Sequence, residues 1–252
     1  MLLEVCVDSY TSAMAAVQGG ADRLELCSAL AVGGLTPWRT LLYQIRQATD
    51  IPIRCMVRPR PGDFLYTADE LELMCSQIID LHRCGATGFV FGALRPGGEP
   101  DVKALRRMIA ATGGAPATLH RAFDVARCQR DAYKDAHKLG FDAILTSGGA
   151  ADCLAGADQI GVLLSLRGEL HGPEILVGGG VTPEAILTLR RRYPTVRSFH
   201  MSAKAAEPSK MRYRHPDVPM GLPGLDEWTN YYVDEKLVRA AKQALTAPLE
   251  TP

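Results

Sequence analysis

Net charge is missing from this chain: its 252 residues carry 28 Lys and Arg against 28 Asp and Glu. No global field draws it toward nucleic acid or an anionic membrane surface, so neither is expected as a partner. Long apolar runs are missing too, and none approaches the roughly eighteen residues that a transmembrane helix needs. No basic segment with an apolar core opens the sequence, which goes straight into a strand-like run, so no secretory signal is expected. The cysteines lack a framework pattern. There are seven, an odd number, scattered through strand-like and helix-like segments, which argues against structural disulfides and for a reducing, cytoplasmic setting. No G-x-G-x-x-G follows the first strand-like run, as an open dinucleotide-binding sheet would require.

What is present is a repeat. Leu3-Glu4-Val5-Cys6 is echoed by Leu24-Glu25-Leu26-Cys27. In each, Glu and Cys lie two residues apart and so share one face of a strand. Between them runs an Ala-rich helical segment ending in Gly19-Gly20, which makes a strand–helix–strand unit with parallel strands. The alternation continues for eight units. Strands are predicted at Leu2–Val7, Arg23–Cys27, Ile53–Arg58, Gly88–Gly92, Ala117–Phe123, Ala143–Thr146, Ile175–Val177 and Ser198–Ser202. Helices fall between them, with Thr67 before Asp69-Glu70 and Thr182-Pro183-Glu184 as start signals. Eight units in a chain of this length, and polar residues at strand ends, predict an α/β fold, a closed (β/α)8 TIM barrel. A single domain is expected, with the barrel at about 1–205 and a C-terminal extension at 206–252. The segment from Glu207 to Tyr232, rich in Pro, Gly and aromatics, reads as irregular, and Asp234–Leu245 as a closing helix.

Period-two alternation assigns faces. Glu4, Cys6, Asp8, Glu25, Cys27, Arg54, Met56, Arg58, Thr118, His120, Ser198, His200 and Ser202 point into the barrel. Barrel interiors are normally filled by bulky apolar side chains, and ionisable groups there cost free energy unless paired. One account is a buried plug in which Glu4 or Glu25 pairs with Arg58. The other is a polar ligand or metal site at the barrel mouth. Arg58 and Arg60, in a loop stiffened by Pro59 and Pro61, are candidates to hold an anion. His120-Arg121-Ala122-Phe123-Asp124 places His, Arg and Asp at one strand end, with His120 as an acid–base group. Ser147-Gly148-Gly149 and Gly178-Gly179-Gly180 follow strands six and seven. Together with Ser202 they match the loops from which barrels hold phosphate through backbone N–H groups, or else they are tight turns.

Cys6 and Cys27 face one way on neighbouring strands, which lie about 4.8 Å apart. Two thiols could jointly hold a soft cation such as Cu(I), or they could be small buried hydrophobes. His120 and His200 could add to such a site only if their rings reach across the barrel.

Together these motifs resemble the CutC family of copper homeostasis proteins. The resemblance rests on Glu4-Val5-Cys6-Val7-Asp8-Ser9, Gly19 to Ser28, Gly33-Gly34-Leu35-Thr36-Pro37, Arg58-Pro59-Arg60, Gly62-Asp63-Phe64, Phe91-Gly92-Ala93-Leu94, His120 to Asp124, Leu145-Thr146-Ser147-Gly148, Gly178 to Gly180, His200-x-Ser202-Ala203, Met211-x-Tyr213-Arg214 and Met220-Gly221. It implies a TIM barrel, a cytoplasmic homo-oligomer, and a link to copper with Cu(I) bound at Cys6 and Cys27. Pro61, Val177 and Arg54 depart from the family pattern. The second reading, from the residues, is an enzyme acting on a small anionic or phosphorylated metabolite. There Glu25 and His120 are acid–base groups, Arg58 the anion anchor, Asp124 part of the catalytic set, and Arg60, Ser147, His200, Ser202 and the triple glycine ligand contacts.

Overall fold

Eight parallel strands pair in sequence order, and the eighth returns to the first: β1 Leu2–Val7, β2 Arg23–Leu26, β3 Ile53–Met56, β4 Gly88–Phe91, β5 Ala117–Leu119, β6 Ala143–Thr146, β7 Glu174–Val177 and β8 Ser198–Met201. This is the closed eight-stranded barrel that the repeat predicts. The structure, a computed structural model, describes residues 1–215, 218, 224 and 226–249. Seven helices link the strands: α1 Tyr10–Gln18, α2 Arg39–Arg46, α3 Ala68–Arg83, α4 Val102–Ala111, α5 Gln129–Leu139, α6 Ala157–Leu170 and α7 Pro183–Arg192. No helix among the described residues is long and apolar enough to cross a membrane.

Local chemistry explains the boundaries. Thr67 and Glu70 form a reciprocal capping box at the start of α3, which satisfies two of the backbone donors that a helix start leaves unpaired. Thr182 caps α7 ahead of Pro183, where the missing N–H costs nothing. Gly140 closes α5 with φ at 84°, a left-handed conformation that suits Gly. Two predicted boundaries are corrected. The fifth strand stops at Leu119 instead of Phe123, because the Ala122 N–H turns back to donate to His120 Nδ1 and opens a 3-10 turn at Arg121–Val125. The sixth helix runs Ala157–Leu170 rather than Cys153–Leu166. Asp152 accepts from the N–H groups of Leu154 and Ala155 and holds that stretch in a turn.

Alternation partitions the core. The outward residues Leu3, Val5, Val7, Leu24 and Leu26 belong to one large apolar shell shared with the helices. Inside the barrel a separate small cluster joins Cys27, Met56 and Val90, with Leu30 against it. At the N-terminal end of the barrel Arg54 bonds Thr118 and Asp142, so that inward arginine is a plug away from the mouth.

The extension holds more order than its composition suggests. β9 Lys204–Pro208 and β10 Thr229–Val233 pair antiparallel and overlap both ends of the segment read as irregular. A last helix, α8 Glu235–Thr246, packs against α1 and α7. Arg190 Nη1 donates to the Ala244 and Ala247 carbonyls, at 2.5 and 3.0 Å. A cation thus meets the unpaired acceptors at the end of α8. Met220-Gly221 lies outside the described residues.

Candidate metal centre and cavity

Strand register decides which inward side chains meet. Glu4 on β1 is opposite Arg23 on β2 and His200 on β8. Cys6, two residues further along β1, is opposite Glu25, and Glu25 is opposite Arg54. Cys27 therefore sits one inward step beyond Glu25, about 6.6 Å along the strand, rather than level with Cys6.

The lower layer is a charge chain. Glu4 is fully buried and accepts from Arg23 Nε at 2.5 Å, while its other oxygen meets His200 Nδ1 at 2.8 Å. Burial alone would raise the Glu4 pKa. The Arg23 guanidinium and the His200 bond and charge outweigh it and hold the carboxyl at about 2. His200 shows the converse. Burial opposes its charge, but Glu25, Cys6 and Glu4 together lift its pKa well above the usual imidazole value. Its Nε2 stands 3.8 Å from Glu25 Oε2. Glu25 is raised, first by burial and also by the charge of Glu4, although His200 pulls the other way.

Above this chain, Cys6, Glu25 and His200 converge, with one ligand atom from each lying within 4.8 Å of the others. Among the described residues this is the one such group of metal-ligating side chains. Because Nδ1 of His200 is committed to Glu4, Nε2 is the nitrogen left to face a metal. A carboxylate behind a histidine in this way fixes its tautomer and orientation. Cys27, expected as the second thiolate, is not in the group. It is buried in the interior apolar cluster, and its thiol donates to Glu25 Oε2 at 3.5 Å. Burial and the nearby Glu25 charge push its pKa well up, so it stays a neutral thiol.

The cluster forms part of the wall of a cavity of about 590 Å³ at the C-terminal mouth of the barrel. Other walls come from Arg58, Phe64, His120, Ser202 and the β9–β10 hairpin, including Lys204 and Tyr231. His120 is buried. Its Nδ1 accepts from the Ala122 N–H at 3.2 Å, its ring lies 4.9 Å from that of Phe64, and its Nε2 has no partner among the described residues. Burial, then the Arg58 charge, lower its pKa to about 3. At neutral pH His120 is thus an uncharged ring, and with Nδ1 accepting from Ala122 its Nε2 carries the proton.

Other expected site residues have structural duties. Arg58 ties two rim loops together, donating to the carbonyls of Val32, Gly34 and Gly62. It does not pair with Glu4 or Glu25, which disposes of the plug built on it. Arg60 is taken up by Glu70 and Asp63 and by the Leu65 carbonyl, and it is not part of the cavity wall. Asp124 accepts from Thr146, Ser147, Gly149 and Arg121 and clamps the loop after β6. Ser147 and the triple glycine do not line the cavity. A Cβ at Gly178 would lie 2.6 Å from Leu145, one at Gly179 3.0 Å from Ser147, and one at Gly180 3.0 Å from Asp152. Their missing side chains make room for these neighbouring protein atoms. Arg23 was overlooked in the sequence, although the alternation that turns Leu24 outward also turns Arg23 inward. Lys204 and Tyr231 carried no site signal.

Comparison with known proteins agrees with this architecture. The CutC family model matches residues 1–205. The CutC family protein of Porphyromonas gingivalis is 38% identical over 246 residues, covering 97% of this chain and 98% of that one. Its counterpart in Caulobacter vibrioides is 44% identical over 202 residues, 80% and 81% of the two chains. The crystal structure of CutC from Streptococcus agalactiae, described as a copper homeostasis protein, superposes with a TM-score of 0.75 at 30% identity, covering 80% of this chain and 98% of that one. This chain belongs to the CutC family.

Proposed function

We propose that this protein binds a copper ion as cargo in a reducing compartment, through Cys6 and His200 with Glu25 at the third position. The observation that carries the reading is the convergence of those three side chains, beside a family whose Streptococcus agalactiae relative is described as a copper homeostasis protein. The donor set suits copper through one thiolate and one imidazole, since soft sulfur selects Cu(I) and imidazole serves copper generally. It does not suit a site of two thiolates, because Cys27 is held as a neutral donor to Glu25 one step away. Glu4 orients His200 from behind, and Arg23 balances Glu4. X-ray absorption of the copper-loaded chain tests the reading. One sulfur and at least one imidazole nitrogen are expected around copper; two sulfurs and no nitrogen would refute it.

A second reading is an enzyme acting on a small anionic metabolite, and the cavity favours it. A volume of about 590 Å³ falls in the range of small-molecule sites and is far larger than an ion requires. In this reading His120 and Arg58 bind the substrate and Glu25 moves a proton. Thermal-shift screening against metabolite classes tests it: a stabilising class supports it, and silence across all classes refutes it.

A further inference from the structure

Arg58 is buried, at 6% exposure, and its guanidinium is held by carbonyl oxygens rather than by a carboxylate. A buried charge without a counter-charge is costly. His120, at 3% exposure, is equally odd, because its Nε2–H has no acceptor among the described residues. Leaving such a donor unpaired costs about 1–3 kcal/mol. The Arg58 Nε is also without a hydrogen-bond acceptor among the described residues. The two side chains are not scattered. Both line the cavity, and both touch one ring: Arg58 Cζ lies 5.2 Å from the Phe64 centroid, and the His120 ring lies 4.9 Å from it. Gly92 keeps His120 in place, since a Cβ there would come within 2.7 Å of the imidazole.

Two buried donors, one charged and one neutral, around a flat apolar ring call for an occupant that brings negative oxygen and little bulk. Lys204, at the hairpin rim of the same cavity and 5.1 Å over the Tyr231 ring, adds a second cation. A phosphate would instead be expected at glycine turns and helix N-termini, and the triple glycine does not line this cavity.

We propose that the cavity is a binding site for a small α-keto or α-hydroxy carboxylate, with an oxygen accepting from His120 Nε2–H, the carboxylate facing Arg58, and the carbon chain against Phe64. The proposal rests on the small-molecule reading above and narrows it to one substrate class. It is independent of copper.

The test is calorimetric titration of the metal-stripped full-length chain with pyruvate, 2-oxoglutarate, lactate and malate, and separately with inorganic phosphate. At least one organic acid is expected to bind, and phosphate is not. His120→Phe keeps a ring but removes the donor and is expected to weaken binding at least tenfold. His120→Gln, which restores an N–H close to the same place, is expected to stay within about threefold of wild type. Lys204→Gln, on the exposed rim, is expected to weaken binding several-fold without touching the interior. Phosphate binding with no organic acid bound would overturn the proposed class while leaving the small-molecule reading standing. No binding by any of the five would overturn the proposal, and the small-molecule reading falls with it only where the wider thermal-shift screen is silent as well. Organic-acid binding that is indifferent to both His120→Phe and Lys204→Gln would place the ligand elsewhere and overturn the assignment of the site.

Discussion

Replacing Glu4 by Gln removes one charge from the middle of the buried Arg23–Glu4–His200 chain while keeping the shape of the side chain. Glu4 is fully buried, with Arg23 at 2.5 Å and His200 at 2.8 Å. Breaking a buried pair by removing one partner costs about 3–5 kcal/mol, because the other charge is left uncompensated. The carboxyl is held at about 2 against an ordinary 4.5, and at 1.36 kcal/mol per pH unit that shift gives a second figure on the order of 3 kcal/mol. The two agree. The sign follows from the depressed pKa: the contribution is present in full above about pH 5 and is lost as pH falls toward 2. Urea unfolding of the chelator-treated chain reads this directly. At pH 7, with a slope of about 3 kcal/mol per molar, Glu4→Gln is expected to lower the midpoint by about 1 to 1.7 M. The gap from wild type should shrink below pH 5, where the unfolded wild-type chain begins to protonate Glu4 while the folded chain keeps it ionised down to about 2. Arg23→Met combined with Glu4→Gln should cost less than the sum of the two single changes. A Glu4→Gln midpoint within about 0.2 M of wild type at pH 7 would refute the charge chain.

Two further outcomes are expected. Asp124→Asn removes the charged acceptor shared by Ser147, Gly149 and Arg121. It should destabilise the chain by about 2–3 kcal/mol in denaturant melts, while copper affinity in a chelator competition stays unchanged; lost affinity with unchanged stability would contradict its role as a loop clamp. Copper affinity should rise with pH through and beyond the usual imidazole range, because His200 keeps its proton above pH 6.5 and a metal at Nε2 must displace it. A pH-independent affinity in the same competition assay would contradict that arrangement.

Parity was legible in the sequence and register was not. Period-two alternation needs only the local pattern, and it correctly turned Glu4, Cys6, Glu25, His120 and His200 inward. Which of them meet depends on the stagger between strands, a property of the closed barrel as a whole. That stagger sets Cys6 beside Glu25 and leaves Cys27 a step further on, among Met56 and Val90. Charge states were hidden for a related reason. His120 is neutral because of its burial and the Arg58 charge, neither of which is written in its neighbours along the chain. The triple glycine announced a tight approach but not what approaches, and Leu145, Ser147 and Asp152 fill the space. The β9–β10 hairpin escaped notice because its strands are separated by a long segment, from Ser209 to Trp228, and neither strand carries a clean alternation of its own.

The most direct test of the central claim compares anaerobic Cu(I) titrations of wild type, Cys6→Ser and Cys27→Ser against a competing chelator. A site built on Cys6 and His200 predicts that Cys6→Ser loses tight binding, whereas Cys27→Ser, whose hydroxyl can still donate to Glu25, stays within about threefold of wild type, well under the roughly 1.4 kcal/mol of a tenfold change. Equal losses in the two variants would mean that both thiols hold the ion and would contradict the site described here.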